Sequence, residues 1–272
     1  MIITSLVDDY CPLRGIRGEH GLSIFLETAN TKVLFDTGQG TTFLENARLL
    51  GIDLSGLDAV VLSHGHYDHG GGLSALYDAL GSTPPPLFVG RGFADHRGRV
   101  NGNGVLDLGL PSATLPPGSP PALVIETFEE LAPHISFLPK VERLDGTDPN
   151  PRFRIIQAHA EGVDEFQDEL SLVIDEDDGI VVVTGCAHRG IVNIARAAAL
   201  AFPGRPIKGL VGGFHLVEES PDVIAGICRD IAAMAPARVL PCHCTGLDGF
   251  AALAEALPGK VSWFSCGMSI TL

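Results

Sequence analysis

The sequence lacks the long apolar runs and the basic leader that would place it in or across a membrane. No stretch of the 272 residues approaches the roughly 18 uninterrupted apolar residues of a membrane span. The first residues, Met1 to Ser5, carry no positive charge before an apolar segment, which argues against a signal peptide. We therefore expect a cytoplasmic protein that does not bind membranes.

Basic residues are also scarce, with 18 Lys and Arg against 33 Asp and Glu and a net charge of −15. This charge repels phosphate backbones and no basic patch interrupts it, so we expect no nucleic-acid partner and disfavour a nuclease. Six cysteines in a chain without an export signal predict free thiols rather than disulfides. Cys242-His243-Cys244 suggests a zinc knuckle, but the sequence offers no C-x-x-C partner for it.

The most informative stretch that is present runs from Ser63 to Gly72, SHGHYDHGGG. It follows a short β-branched run and precedes a helical pattern over 73–80, so it connects a strand to a helix. His64 and His66 are two residues apart, which places both rings on one side of an extended strand end. Asp68 and His69 are expected in a turn, where they could hold a second ion. The stretch predicts a two-metal site, with a histidine-rich surface loop as the alternative.

Further candidate ligands follow other predicted strands. Cys186 and His188 come after a strand over 180–184, His215 after 209–213, and His243 after 238–241. Carboxyl ends of strands are where open α/β sheets place their sites. Two ions with open positions need more ligands than one motif supplies, so these residues and His159 are candidates. The last strand is predicted over 261–264.

Residues 91–150 are rich in Gly and Pro and too long for an ordinary connection. They are predicted to form an insertion or lid, with a surface loop as the alternative. His96, Arg97 and Arg99 are the clustered cations of this segment and could meet an anionic group of a substrate.

The His64-x-His66-x-Asp68-His69 pattern, with 34–38 (LFDTG) upstream, resembles the metallo-β-lactamase superfamily. Segments 184–194, 212–216 and 243–246 narrow the resemblance to a subgroup of metal-dependent hydrolases similar to dihydropterin-ribofuranosyl-aminobenzene-phosphate synthase. The resemblance implies an α/β fold, a four-layer αββα sandwich in which two mixed sheets are flanked by helices. It also implies a single domain over residues 1–272, with the insertion or lid at about 91–150.

The resemblance implies roles for individual residues as well. Cys186 stands where the superfamily has a bridging aspartate, so it could be a ligand, leave a water to bridge alone, or be a plain buried cysteine. His188 is favoured over His159 as the third histidine of the first ion, and Asp36 matches a group that supports the ligands. The implied metal ligands are His64, His66, Asp68, His69, Cys186, His188 and His243.

The predicted function is that of a binuclear metal-dependent hydrolase acting on an ester or phosphoester of a small, phosphorylated or pterin-like substrate. The two divalent ions are expected to be Zn²⁺, with Mn²⁺ or Fe²⁺ as alternatives. Asp68 and His215 are the predicted catalytic residues, and Arg189 and His96 the predicted substrate contacts. A histidine that only supports the sheet is the alternative for His215.

Two other functions stay open at this point. One is a mononuclear iron oxidoreductase of the same fold, and the other is a metal-dependent ligand-binding or sensor protein without turnover. His20 and His134 belong to no motif and are expected at the surface.

Overall fold

The computed structural model describes residues 1–81, 84–102, 104–111, 115, 119–144, 149–157 and 160–271. The strands are β1 (Ile2–Val7), β2 (Ser23–Glu27), β3 (Lys32–Phe35), β4 (Ala59–Val61), β5 (Leu87–Gly90), β6 (Arg97–Asn101), β7 (Gly104–Asp107), β8 (Leu123–Ile125), β9 (Glu129–Ala132), β10 (Ile135–Pro139), β11 (Phe153–Gln157), β12 (Ala160–Val163), β13 (Leu170–Glu176), β14 (Gly179–Thr184), β15 (Ile207–Gly213), β16 (Arg238–Cys242) and β17 (Ser269–Thr271). The helices are α1 (Thr42–Leu50), α2 (Tyr67–Gly70), α3 (Leu73–Leu80), α4 (Ile191–Ala201), α5 (Pro221–Ala233) and α6 (Gly246–Ala256).

The chain divides into two compact units, and unit 1 comprises Met1–Glu126, Asp148–Asp168 and Ser265–Leu272. Its seven-stranded sheet has the order β17-β1-β2-β3-β4-β5-β8. The strands from β17 to β3 pair antiparallel, and those from β3 to β8 pair parallel. Helices α1 and α3 supply the crossovers that the parallel pairs β3–β4 and β4–β5 require.

The helices of unit 1 bury one face each. Phe43 and Ala47 are four residues apart on α1, and Leu73, Leu76 and Tyr77 lie three and four residues apart on α3. These side chains share a core cluster with strand residues of the seven-stranded sheet. The amphipathic spacing thus packs both helices onto the core of this sheet, which also contains Val60 of β4, the strand that leads into the histidine motif.

Unit 2 comprises Thr127–Thr147 and Glu169–Phe264. Its six-stranded sheet has the order β16-β15-β14-β13-β10-β9, in which β14, β15 and β16 are parallel and the remaining pairs antiparallel. Helices α4 and α5 connect the three parallel strands. Consequently the carboxyl ends of β14, β15 and β16 lie at the same edge of this sheet.

The predicted α/β fold with two large mixed sheets and helices is confirmed. The sequence did not reveal a third sheet, four-stranded and antiparallel, of order β12-β11-β6-β7. It includes β6 and β7 from the segment 91–150, whose Gly, Arg and Asp residues interrupt the apolar pattern that predicts a strand. Every residue of β7 is exposed. Parts of 91–150 lie outside the described residues, and the lid and the single domain stay predictions.

Two local predictions were wrong. Val261 forms an isolated bridge with Val239 rather than a strand over 261–264, and the last strand is β17, which pairs with β1. Asp68 and His69 lie in the short helix α2 instead of a turn. None of the helices among the described residues combines the length and the apolar character that a membrane span requires.

Candidate metal-binding sites

The histidine motif of unit 1 follows β4 directly and ends in α2. His64, His66 and His69 are buried, and Asp68 is buried beside them on α2. The ring of His64 lies 4.5 Å from that of His66 and 4.2 Å from that of His69, measured between centroids. Oδ2 of Asp68 lies 3.9 Å from Nε2 of His69. The structure therefore brings the four predicted ligands of this unit together.

Asp36 and Ser63 contact the Nδ1 atoms of His64 and His69 and so orient these two imidazoles. Asp36 accepts hydrogen bonds from the Ser63 backbone N–H, the Ser63 hydroxyl and Nδ1 of His69, each at 2.7 Å. Oγ of Ser63 also lies 2.9 Å from Nδ1 of His64. Fixing Nδ1 in this way sets the tautomer and leaves Nε2 as the atom that would bind a metal. Asp36 thus has the supporting position that the resemblance implied.

The backbone between His64 and His66 is held by a buried ion-pair cluster that the sequence did not reveal. Gly65 donates its N–H to Oδ2 of Asp168 at 2.7 Å. Arg97 lies between Asp168 and Asp164, with 2.8 Å to each carboxylate. Burial raises the pKa of Asp168 to about 7, which Arg97 opposes and Asp164 reinforces.

This cluster corrects the expectation for Arg97. Its side chain is only 2% exposed and is engaged by two carboxylates, so it does not meet a substrate. His96, by contrast, is half exposed, and its Nε2 lies 3.1 Å from Oδ1 of Asp107. The sequence could not show that Arg97 is buried and His96 exposed, because the carboxylate partners of Arg97 are distant along the chain.

A cavity of about 610 Å³ lies in unit 1 beside the histidine motif. Tyr67, the residue between His66 and Asp68, contributes to its wall together with His96. The cavity is lined by Tyr67, Ala94, Asp95, His96, Asp107, Gly109, Leu110 and Pro111. Its size suits a small organic molecule.

His20 is a residue whose position the sequence did not predict. Its ring is half exposed, as expected for the surface, but Nε2 lies 3.4 Å from Oδ2 of Asp68 and Nδ1 lies 2.8 Å from Asp9. No motif surrounds His20, so nothing in the sequence signals this contact. His134 is exposed, which confirms the expectation for it.

In unit 2 the candidate ligands follow three adjacent parallel strands. Cys186 and His188 come after β14, His215 after β15, and His243 and Cys244 after β16. Donor atoms of Cys186, His188 and His215 lie within 4.8 Å of one another, and so do those of Cys186, His243 and Cys244. The strand-end arrangement predicted from the sequence therefore assembles five donors, including Cys244, which the predicted ligand set omitted.

Glu169 fixes the segment that carries His188. Its carboxylate accepts the backbone N–H of His188 at 2.6 Å and that of Arg189 at 2.9 Å. Burial raises the pKa of Glu169, although these two hydrogen bonds oppose the shift. Nε of Arg189 donates to the carbonyl of Val141, so part of this predicted substrate contact is engaged within unit 2.

Thiolate formation at Cys244 is favoured by its neighbours. Burial alone would raise the pKa of Cys244, but a hydrogen bond with Cys186 and the charges of His243 and His215 hold it well below the ordinary value of 9.0. The Cys244 thiol also lies 3.6 Å from the carbonyl oxygen of Cys186, to which it donates.

Several residues of both units have a left-handed backbone, which is unfavourable for residues other than glycine. The φ angle is 62° at Asp36, 56° at Ala187, 46° at His215 and 48° at His243. Such conformations persist only where the surrounding structure enforces them, and they concentrate at functional sites. No sequence pattern indicates them.

The donor sets of both units fit a divalent transition metal. Imidazole and carboxylate groups in unit 1, and imidazole and thiol groups in unit 2, are the ligands that zinc prefers in proteins. His159 lies outside the described residues, so the preference for His188 over His159 stays a prediction.

The chain is similar to several known proteins. A family model described as the metallo-beta-lactamase superfamily matches residues 16–149. The crystal structure of Tm1679, a metal-dependent hydrolase of the β-lactamase superfamily, is 33% identical and matches with a TM-score of 0.87 over 100% of this chain and 99% of Tm1679. A 7,8-dihydropterin-6-methyl-4-(β-D-ribofuranosyl)-aminobenzene-5'-phosphate synthase from Methanocaldococcus jannaschii is 26% identical, covering 90% of this chain and 87% of the synthase. Zn²⁺-bound PqqB from Methylobacterium extorquens is 12% identical and shares the fold, with a TM-score of 0.60 over 100% of both chains.

Proposed function

We propose that this chain, which belongs to the metallo-β-lactamase superfamily, is a binuclear metal-dependent hydrolase. The observation that carries the proposal is the buried group of His64, His66, Asp68 and His69, in which Asp36 and Ser63 orient the imidazoles of His64 and His69. A protein that only binds a ligand has no need of a ligand set built to activate water. The identity of 33% to Tm1679, described as a metal-dependent hydrolase, supports the same reaction class.

The proposal assigns the metals and the residues as follows. Zinc is the proposed metal, with manganese or iron as alternatives, and the ligands are those predicted from the sequence in the two units. Bound divalent ions would lower the pKa of water and polarise the reacting oxygen of a substrate. Within the chain, Asp36 holds His69 in the tautomer that exposes Nε2. His215 is proposed to contact the substrate or transfer a proton, as imidazole can near neutral pH.

The proposed substrate is a small ester or phosphoester, phosphorylated or pterin-like. The cavity of about 610 Å³ beside Tyr67 supports a small-molecule substrate. His96 contributes to this cavity and is proposed as a substrate contact, and Arg189 is proposed as another. The 26% identity to the Methanocaldococcus jannaschii synthase favours a second candidate function, synthase chemistry on a related compound.

Elemental analysis of protein purified anaerobically without added metal tests the metal proposal first. About two equivalents of zinc or manganese per chain are expected. About one equivalent of iron would contradict the binuclear hydrolase and point to redox chemistry. The stoichiometry also decides which metal is used to load the protein for activity assays.

Turnover of a panel of phosphoesters and lactones then tests the reaction class. Asp68→Ala is expected to abolish turnover, whereas Asp78→Ala, an exposed carboxylate on α3, is the matched control and should leave it unchanged. Unchanged ligand binding with no product from any ester would instead indicate a binding or sensor protein. Formation of a condensed product without hydrolysis would favour the synthase.

A further inference from the structure

Cys244 lies among the ligands of unit 2, although the predicted ligand set omits it. Cys186, His243 and Cys244 place donor atoms within 4.8 Å of one another. Their side chains are buried, with 3%, 4% and 6% exposed. Zn–S bonds of about 2.3 Å and Zn–N bonds of about 2.0 Å bring the ligands of one ion within about 4 Å of each other. The three donors therefore have nearly the spacing that one ion requires.

The backbone of Gly213 lies close to the Cys244 thiol. A Cβ added to Gly213 would lie 2.7 Å from Sγ of Cys244 and 2.5 Å from the carbonyl oxygen of Gly185. His243, which precedes Cys244, has a φ of 48°, so the chain turns sharply where β16 ends. The glycine at the end of β15 and the turn after β16 together bring the thiol toward Cys186.

Cys186 supplies the partner that the sequence around Cys242-His243-Cys244 lacks. It is 58 residues away from Cys244, yet the Cys244 thiol lies 3.6 Å from its carbonyl oxygen. Two thiolates and one imidazole are ligands typical of zinc, and three protein ligands leave the fourth position of a tetrahedral ion open.

We propose that Cys186, His243 and Cys244 bind one zinc ion. Two thiolates make this site select zinc over manganese and magnesium, which prefer oxygen ligands. The proposal rests on the proposed metal binding but not on hydrolysis. It adds Cys244 to the ligands and predicts a thiolate-rich site rather than a carboxylate-bridged one.

Cobalt(II) substitution tests the proposal, because thiolate ligands give charge-transfer absorption in the near ultraviolet that nitrogen and oxygen ligands lack. Reduced, metal-free protein is titrated with Co²⁺ as wild type, Cys186→Ala, Cys244→Ala and Cys228→Ala. Cys228 is a buried thiol on α5 and serves as the matched control. Each ligand variant should lose about half of this absorption and bind zinc roughly 100-fold more weakly, and the control should keep both.

Full wild-type absorption in Cys244→Ala would overturn the proposal. Far-ultraviolet circular dichroism and denaturant unfolding of each metal-free variant show whether a loss of metal binding reflects a failure to fold. If Cys244→Ala does not fold, Cys244→Ser is titrated in its place, and the same two outcomes decide. Esterase activity is measured separately, so that a protein with thiolate absorption and no hydrolysis refutes only the proposed reaction, and the reverse refutes only the thiolate site.

Discussion

The substitution Asp36→Asn tests how unit 1 orients its histidines. One carboxylate oxygen of Asp36 accepts from the Ser63 backbone N–H, and the other accepts from the Ser63 hydroxyl and from Nδ1 of His69, all at 2.7 Å. An asparagine amide keeps only one acceptor oxygen. If the amide oxygen stays on the Ser63 backbone, its NH₂ group faces Nδ1 of His69. That nitrogen must then accept, which moves the proton of His69 to Nε2, the atom needed by a metal.

The expected loss follows from this change of tautomer. Removing an orienting partner of a ligand typically lowers metal affinity by about 10- to 100-fold, or roughly 1.4 to 2.8 kcal/mol. Asp36→Ala is less informative, because it leaves three buried donors unsatisfied at roughly 1 to 3 kcal/mol each. That sum approaches the whole stability of a domain, about 5 to 15 kcal/mol. The asparagine variant is therefore expected to fold but to bind metal weakly.

The assay is competition for zinc with a chromophoric chelator, paired with denaturant unfolding of the metal-free protein. Asp58→Asn is the control, since Asp58 also accepts a backbone N–H, that of Lys32 at 2.8 Å, but at an exposed position. Zinc affinity of Asp36→Asn within twofold of wild type, with intact folding, would refute the orientation argument for His69.

Burial raises the pKa of Asp168 from 3.8 to about 7, so the folded state favours the neutral carboxyl group. The free energy of unfolding is therefore expected to decline as the pH rises from about 4 through 7. Asp168 alone would contribute up to roughly 4 kcal/mol to this decline. Asp168→Asn should flatten the profile of unfolding free energy against pH, and a wild-type profile that rises over this range would contradict the shift. His20→Ala removes a half-exposed partner of Asp68, for which chelator competition should show a loss of up to about fivefold in zinc affinity; an unchanged affinity would assign the contact no role. Gly213→Ala should lower stability by roughly 1 to 3 kcal/mol in thermal or denaturant unfolding, because its Cβ would clash, whereas Gly226→Ala on α5 meets nothing closer than 3.7 Å and should be neutral or stabilising. Equal effects of the two alanines would contradict the packing argument.

Most elements of the fold could be predicted because their signals are local. The helical pattern over 73–80 coincides with α3, and the strands predicted over 180–184 and 238–241 agree with β14 and β16 to within one residue. Strands β6 and β7 were not predicted because they lack such a pattern, and β7 is exposed along its whole length. An exposed strand held by backbone pairing leaves no alternation for the sequence to display.

The candidate ligands could also be predicted from local signals. The residues that hold the ligand segments in place could not. The histidine motif and the strand-end positions of Cys186, His215 and His243 are visible in short segments. Gly65 and its partner Asp168 are 103 residues apart, so no window of the sequence contains both. Arg97 resembled a substrate contact for this reason, since the carboxylates that bury it lie far along the chain.

The two supporting carboxylates, Asp168 and Glu169, are consecutive in the sequence, and such a pair does not predict buried side chains. Asp168 accepts the backbone N–H of Gly65 in unit 1, and Glu169 accepts those of His188 and Arg189 in unit 2. An Asp-Glu pair before a strand ordinarily indicates a solvated turn, yet these side chains are 0% and 3% exposed. Burying two carboxylates is costly unless each is paired and hydrogen-bonded. The backbone groups of the two ligand segments supply hydrogen bonds that offset this cost, so Asp168 and Glu169 hold the backbone that carries the candidate ligands.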